Sequence, residues 1–70
     1  MTVYVQHTWT GEKRALFRPF GECVGVALLT LGIDDHASYS PDFKAGLSRD
    51  RGVWFWEEDA NGETTRGLKP

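Results

Sequence analysis

The sequence predicts an α+β fold: an antiparallel sheet of two hairpins packed on one central helix, in the order β-β-α-(short helix)-β-β. Three stretches carry that expectation. Residues 19–31, PFGECVGVALLTL, are the longest apolar run, residues 3–9, VYVQHTW, alternate in the manner of a strand, and VWFWEE at 53–58 is followed by the hairpin turn Asn61-Gly62.

The first of these is the centre of the core. Read as a helix, it places Phe20, Cys23, Val24, Ala27, Leu28 and Leu31 on one face at i, i+3, i+4 spacing. Pro19 suits the first turn, Glu22 lies near the positive end of the dipole, and Gly32 follows the last turn where a left-handed cap is wanted. Val24, Val26, Leu28 and Thr30 also alternate as a strand would, but length and the Ala and Leu content favour helix. A second apolar row, Val26, Leu29 and Ile33, lies about 200° from the first. The expectation is that the sheet covers one face and the loop after Ile33, with Tyr39, Phe43 and Leu47, covers the other. The competing expectation is that this row meets another molecule, including a second copy in a homodimer through Val26, Leu29 and Ile33.

In chain order, the first strand alternates Val3, Val5, His7 and Trp9 against Tyr4, Gln6 and Thr8, and Thr10-Gly11 reads as a turn. A two-residue loop there sets Trp9 against Glu12, His7 against Arg14, Val5 against Leu16 and Tyr4 against Phe17. The rival is a helix beginning at Glu12 and broken at Pro19. After the central helix, IDDHASYS is a loop, and Ser40-Pro41-Asp42 reads as an N-cap, a proline at N1 and an acidic first-turn residue. These open a short helical turn in which Phe43 and Leu47 pack, and Gly46 with the charged run at 48–52 returns the chain to an exposed turn. In the second hairpin a two-residue loop at Asn61-Gly62 pairs Glu57 with Arg66, Phe55 with Leu68, and Trp54 and Trp56 with Lys69 and Gly67. A type I turn over 59–62 with Gly62 as a G1 bulge shifts that register.

Seventy residues make one domain, 1–70, near the lower limit for a core without staples. An apolar fraction of 40% and three Trp favour a folded chain over a disordered one. One cysteine allows no internal disulfide and Cys23 reads as a small core hydrophobe, which suits a cytoplasmic chain. The longest apolar stretch is too short and too glycine-broken to span a bilayer, so a soluble chain with no membrane partner is expected. The net charge of −2 divides into +1 for residues 1–33 (three basic, two acidic) and −3 for 34–70 (five basic, eight acidic). Neither half carries the field of a non-specific nucleic-acid binder.

No constellation for chemistry stands out. Asp34-Asp35-His36, with His7, could in principle assemble a carboxylate-imidazole site, but consecutive loop residues seldom aim at one ion, and no metal or cofactor is assigned. Cys23 sits mid-stripe on an apolar face, no nucleophile elbow occurs, and the glycines at 21, 25 and 32 match neither a P-loop nor a dinucleotide fingerprint. A small metal-dependent enzyme is the weakest reading. Nucleic-acid binding is the stronger alternative, with Trp54 and Trp56 stacking on bases and Lys13, Arg14, Arg18, Arg49 and Arg51 on phosphates, opposed by the acidic run beside the tryptophans.

The function expected is therefore a non-enzymatic module that binds another protein, possessing a basic patch in one version, and acts by occlusion or assembly. The residues assigned to it are Trp54, Trp56 and Trp9 as apolar anchors, with Glu57, Glu58 and Asp59 as a charged rim that steers the partner. By size alone it compares with virus-encoded inhibitors of host or defence machinery, of the anti-CRISPR type.

Overall fold

A computed structural model describes all 70 residues. The elements are β1 (Thr2–His7), β2 (Lys13–Leu16), α1 (Phe20–Thr30), α2 (Pro41–Asp50), β3 (Val53–Glu58) and β4 (Thr64–Gly67). The four strands form one antiparallel sheet in the order β2-β1-β3-β4, so each hairpin occupies one half and the central seam joins β1 to β3. The α+β class and the element order agree with the sequence expectation. No helix is long and apolar enough to cross a membrane.

Alternation along the two central strands decides what each face holds. Val3 and Val5 of β1 stand beside Glu57 and Phe55 of β3, on the side that receives the helices. There Val3, Val5, Val53 and Phe55 pack with Phe20, Cys23 and Val24 of α1 and Ala45 of α2 into one buried cluster. A chain of this size is stable by about 4–10 kcal/mol, and truncating Phe20 or Phe55 to alanine costs about 3–5. One core truncation therefore removes much of the fold.

α1 begins behind Pro19, without a side-chain cap, and an Arg18–Glu22 ion pair of 2.6 Å spans its first turn. It ends in a Schellman motif, in which Ile33 N–H bonds the Leu28 carbonyl at 2.8 Å and Gly32 N–H that of Leu29 at 3.1 Å. One flank of α1 faces α2 and the loop before it: a Cβ on Gly21 would touch the Pro41 ring at 3.5 Å, and one on Gly25 the Asp35 carboxylate at 3.0 Å. Asp35 is itself held by Lys44, 2.5 Å away.

α2 is longer than the sequence suggests. Ser40 caps it, its Oγ accepting from Phe43 N–H, and Pro41 is at N1 as expected, but the helix runs through Gly46 to Asp50. The polar run at its end is not solvated throughout, since Ser48 is fully buried and donates to the Val53 carbonyl at 2.8 Å. That bond stitches the helix end to the start of β3.

The first hairpin corrects the sequence register, and the second combines the two registers it allowed. In the first, Gly11 N–H bonds the His7 carbonyl and His7 N–H the Glu12 carbonyl, closing a five-residue loop at 8–12 rather than a two-residue turn. The pairs become Val3–Leu16, Tyr4–Ala15 and Val5–Arg14, a slide of two that keeps every side chain on its face. Phe17 loses its expected partner Tyr4 and falls beyond the strand.

In the second hairpin both expected registers occur. Gly62 (φ 79°) closes a type I turn through its N–H to the Asp59 carbonyl, giving Glu58–Thr64. A bulge between Glu57 and Glu58 then restores the pairs Glu57–Arg66 and Trp56–Gly67. Gly67 (φ 71°) lies so close to β3 that a Cβ there would fall 2.2 Å from the Phe55 carbonyl oxygen.

Gly62→Ala therefore meets mainly the left-handed backbone penalty of about 1 kcal/mol. Gly67→Ala meets that penalty and a backbone collision, so its loss of stability should exceed that of Gly62→Ala by at least about 2 kcal/mol. Urea unfolding of the two variants against wild type measures the difference, and equal midpoints would show that β4 does not pack this tightly.

Candidate interaction surface

The residues assigned from sequence separate onto two sides of the sheet. Trp54, Trp56 and Glu58 alternate away from the helices, onto the face that no helix covers. Trp56 is nevertheless fully buried, because Tyr4 stacks on it across the seam (centroids 5.6 Å) and the Lys13 ammonium lies over both rings. Its indole N–H donates to Glu58 Oε2 at 2.6 Å, and Lys69 approaches the same oxygen at 3.7 Å. Trp56 is thus a core residue of the outer face, with no surface left to anchor a partner. Trp54 is half-buried, with the Arg49 guanidinium 5.8 Å from its ring.

The acidic rim is engaged within its own hairpin. Asp59 Oδ1 accepts from the backbone N–H of Asn61 and of Glu63, and the Thr65 hydroxyl donates to the Glu57 carbonyl and side chain. Their first role is to hold the turn and the bulge.

Trp9 lies elsewhere, on the helix side. Its ring packs beside His7 (5.0 Å) and over Gly52, where a Cβ would come within 2.8 Å of it. The ring is 64% exposed and stands at one end of a groove of about 920 Å³. The floor of this groove is Val5, His7 and Leu16, its wall is the flank of α1 turned away from α2 (Cys23, Val26, Thr30), and Phe17 with Arg18 and Glu22 closes the far end. Phe17 is 92% exposed and Val26 59%. Leu29, next to Val26 on the helix, is 64% exposed.

Val26 and Leu29 of the second apolar row are accordingly not covered by the loop that follows α1, whereas Ile33 is half-buried. Tyr39 packs on Phe43 (4.9 Å) and on His36 (5.4 Å) instead of reaching Val26 and Leu29. Sequence reasoning flagged Val26 and Leu29 but missed Phe17, which it had paired within the sheet. The signal was Pro19 two residues on, since a strand this near a proline ends early and leaves its last apolar side chain outside the ladder.

Side chains with chemical potential are otherwise employed. Cys23 is buried in the groove wall with Sγ 3.6 Å from the Arg18 carbonyl, and burial, then the Glu22 charge, pushes its thiol up, away from a reactive thiolate. His36 Nδ1 meets the Ser38 hydroxyl at 2.6 Å while Asp35 pairs with Lys44, and no three His, Cys, Asp or Glu side chains come together as a ligand set. No protein-family model, characterised protein or solved structure matches this chain.

The Trp56 indole, followed by the Lys69 and Lys13 charges, holds the Glu58 carboxyl below the usual glutamate range. A carboxyl depressed in the folded state stabilises it above the unfolded value of about 4.3, and that contribution is lost as pH falls toward the native value. Glu58→Gln should flatten the acid limb: between about pH 5 and pH 3 its urea midpoint should fall less than that of wild type. Parallel pH dependence in the two proteins would show that the indole–carboxylate bond is not made in solution.

Proposed function

We propose that this chain is a small non-enzymatic protein-binding module that acts by occlusion or assembly through the groove between α1 and the first hairpin. One observation carries the reading: Phe17, Trp9 and Val26, all largely exposed, border a single apolar groove. Poor packing does not explain that exposure. The total accessible surface, 4421 Å², equals the roughly 4,400 Å² expected of a compact 7.9-kDa monomer. An apolar patch on an otherwise well-packed small domain marks a place of association.

The chemistry of the groove fits this role. Trp9 and Phe17 supply rigid aromatic area at its two ends, the kind of side chain that dominates binding energy, and Val26 lies between them on α1. α1 is 11 residues long, so the site extends about 16 Å, enough for three helical turns or five residues of strand. The acidic hairpin, Glu57, Glu58 and Asp59, lies outside the groove. Action as a virus-encoded inhibitor, by capping a partner's working surface, is the occlusion form of this reading and rests on size.

Nucleic-acid binding has less support. Trp56 is buried, Lys13 lies over Tyr4 and Trp56, and Arg14 and Arg18 are bonded to Glu12 and Glu22 at 2.5 and 2.6 Å.

Capture from nuclease-treated lysate of the native host, using tagged wild type, Val26→Asp, Trp9→Ala and the control Arg51→Ala, tests the groove. The expected result is a stoichiometric protein, another copy of the chain included, held by wild type and Arg51→Ala and lost from both groove variants. Equal retention by all four chains would remove the groove from the mechanism, and a catch present in a parallel untreated lysate but absent after nuclease would favour nucleic acid.

A further inference from the structure

We infer that the occupant of the groove is a second copy of this chain, bound about a two-fold axis beside β2. This occupant presupposes the groove as a protein-binding surface and specifies what fills it. Three features of the same edge point to self-association.

The first is the state of the edge strand. β2 is bonded to β1 on one side only, and its other edge is open. Because His7 N–H bonds the Glu12 carbonyl, alternation along the ladder turns the backbone groups of Arg14 and Leu16 toward β1 and those of Lys13 and Ala15 toward the open edge. Edge strands are normally protected from pairing by protruding charges. Here both candidate gatekeepers are turned aside: Lys13 folds back over the Tyr4 ring at 4.4 Å, and Arg14 is tied to Glu12. Pairing of β2 with its own copy would extend two four-stranded sheets into one of eight, with the small Ala15 near the axis.

The second is charge. Around the groove each ionic group already has a partner within the chain, Arg14 with Glu12 and Arg18 with Glu22. A rim of internally neutralised pairs presents no net field, and like surfaces can meet without repulsion. A cationic peptide, an acidic peptide or a nucleic acid would find no free counter-charge there.

The third is area. Aromatic side chains bury 150–250 Å² each and aliphatic ones roughly 60–120 Å², so the exposed parts of Phe17, Trp9 and Val26 at the groove amount to about 380 Å² of apolar surface per chain. A standard interface takes about 800 Å² from each partner. These three side chains supply nearly half of that, and the β2 edge with Leu16 and the ion-paired rim makes up the remainder. The same patch carries both parts of an isologous contact, a projecting Phe17 and a groove to receive it.

Sedimentation of the full chain from about 1 µM to about 1 mM reads the outcome directly. Wild type should pass from the 7.9-kDa monomer to a species of twice that mass. Phe17→Asp and Val26→Asp should weaken dimerisation at least about 30-fold while the far-ultraviolet circular dichroism stays unchanged, because neither side chain belongs to the buried core. A wild type that stays monomeric throughout overturns the dimer, as does a dimer indifferent to both substitutions. In the monomeric case, a heterologous protein captured in a Val26-dependent manner would leave the groove reading standing, and the absence of such capture would overturn both.

Discussion

Strand β3 imposes the constraint on which the rest of the structure depends. Its sequence, Val53-Trp54-Phe55-Trp56, alternates two large sets of apolar side chains onto opposite faces of one sheet. The chain has helices for only one of them. Phe55 and Val53 receive α1 and α2, whereas Trp56 is buried by its neighbours on the outer face: Tyr4 stacked across the seam, the Lys13 ammonium over both rings, and a carboxylate bonded to the indole nitrogen. A buried indole N–H left without a partner would cost about 1–3 kcal/mol, so Glu58 is as much a part of this outer cluster as the rings.

The helix side shows the opposite economy. α1 turns its glycine flank to α2 and the Asp35 loop, where close approach of backbone and side chain seals the core, and leaves its other flank open above β1 and β2. Two helices and four strands are thus arranged asymmetrically. The open flank adjoins the first hairpin, and the register of that hairpin is what leaves Phe17 outside the ladder to stand at the mouth of the groove. Register, which looks like a detail of the fold, determines the chemistry of the surface.

Much of the architecture was legible in local signals. Pro19 and Gly32 bracket α1, Ser40-Pro41 opens α2, and Asn61-Gly62 marks the second turn, because caps and turns are decided by residues within a few positions of one another. Features that depend on distant partners were not legible. Gly46 and the run at 48–52 read as an exit from helix, yet Ser48 finds the Val53 carbonyl and the helix continues past them. Trp54 and Trp56 are equivalent in period, and only the pairing of Trp56 with Tyr4 makes one of them core. The Thr10-Gly11 turn failed for a third reason: Glu12 N–H bonds the Thr10 hydroxyl and draws it into a longer loop.

The central seam has a consequence for how the chain acquires its shape. Both hairpins and the α1–α2 contact form between neighbours in sequence, but β1 and β3 join Thr2 to Glu58 and His7 to Val53, closing loops of roughly fifty residues. An isolated hairpin is marginal in water. The first hairpin and α1 therefore have no lasting partner until β3 joins β1 across the seam. Until then the core face of α1, Phe20, Cys23 and Val24, has no β3 to pack on, and this small domain belongs to the class whose folding waits on its most distant contact.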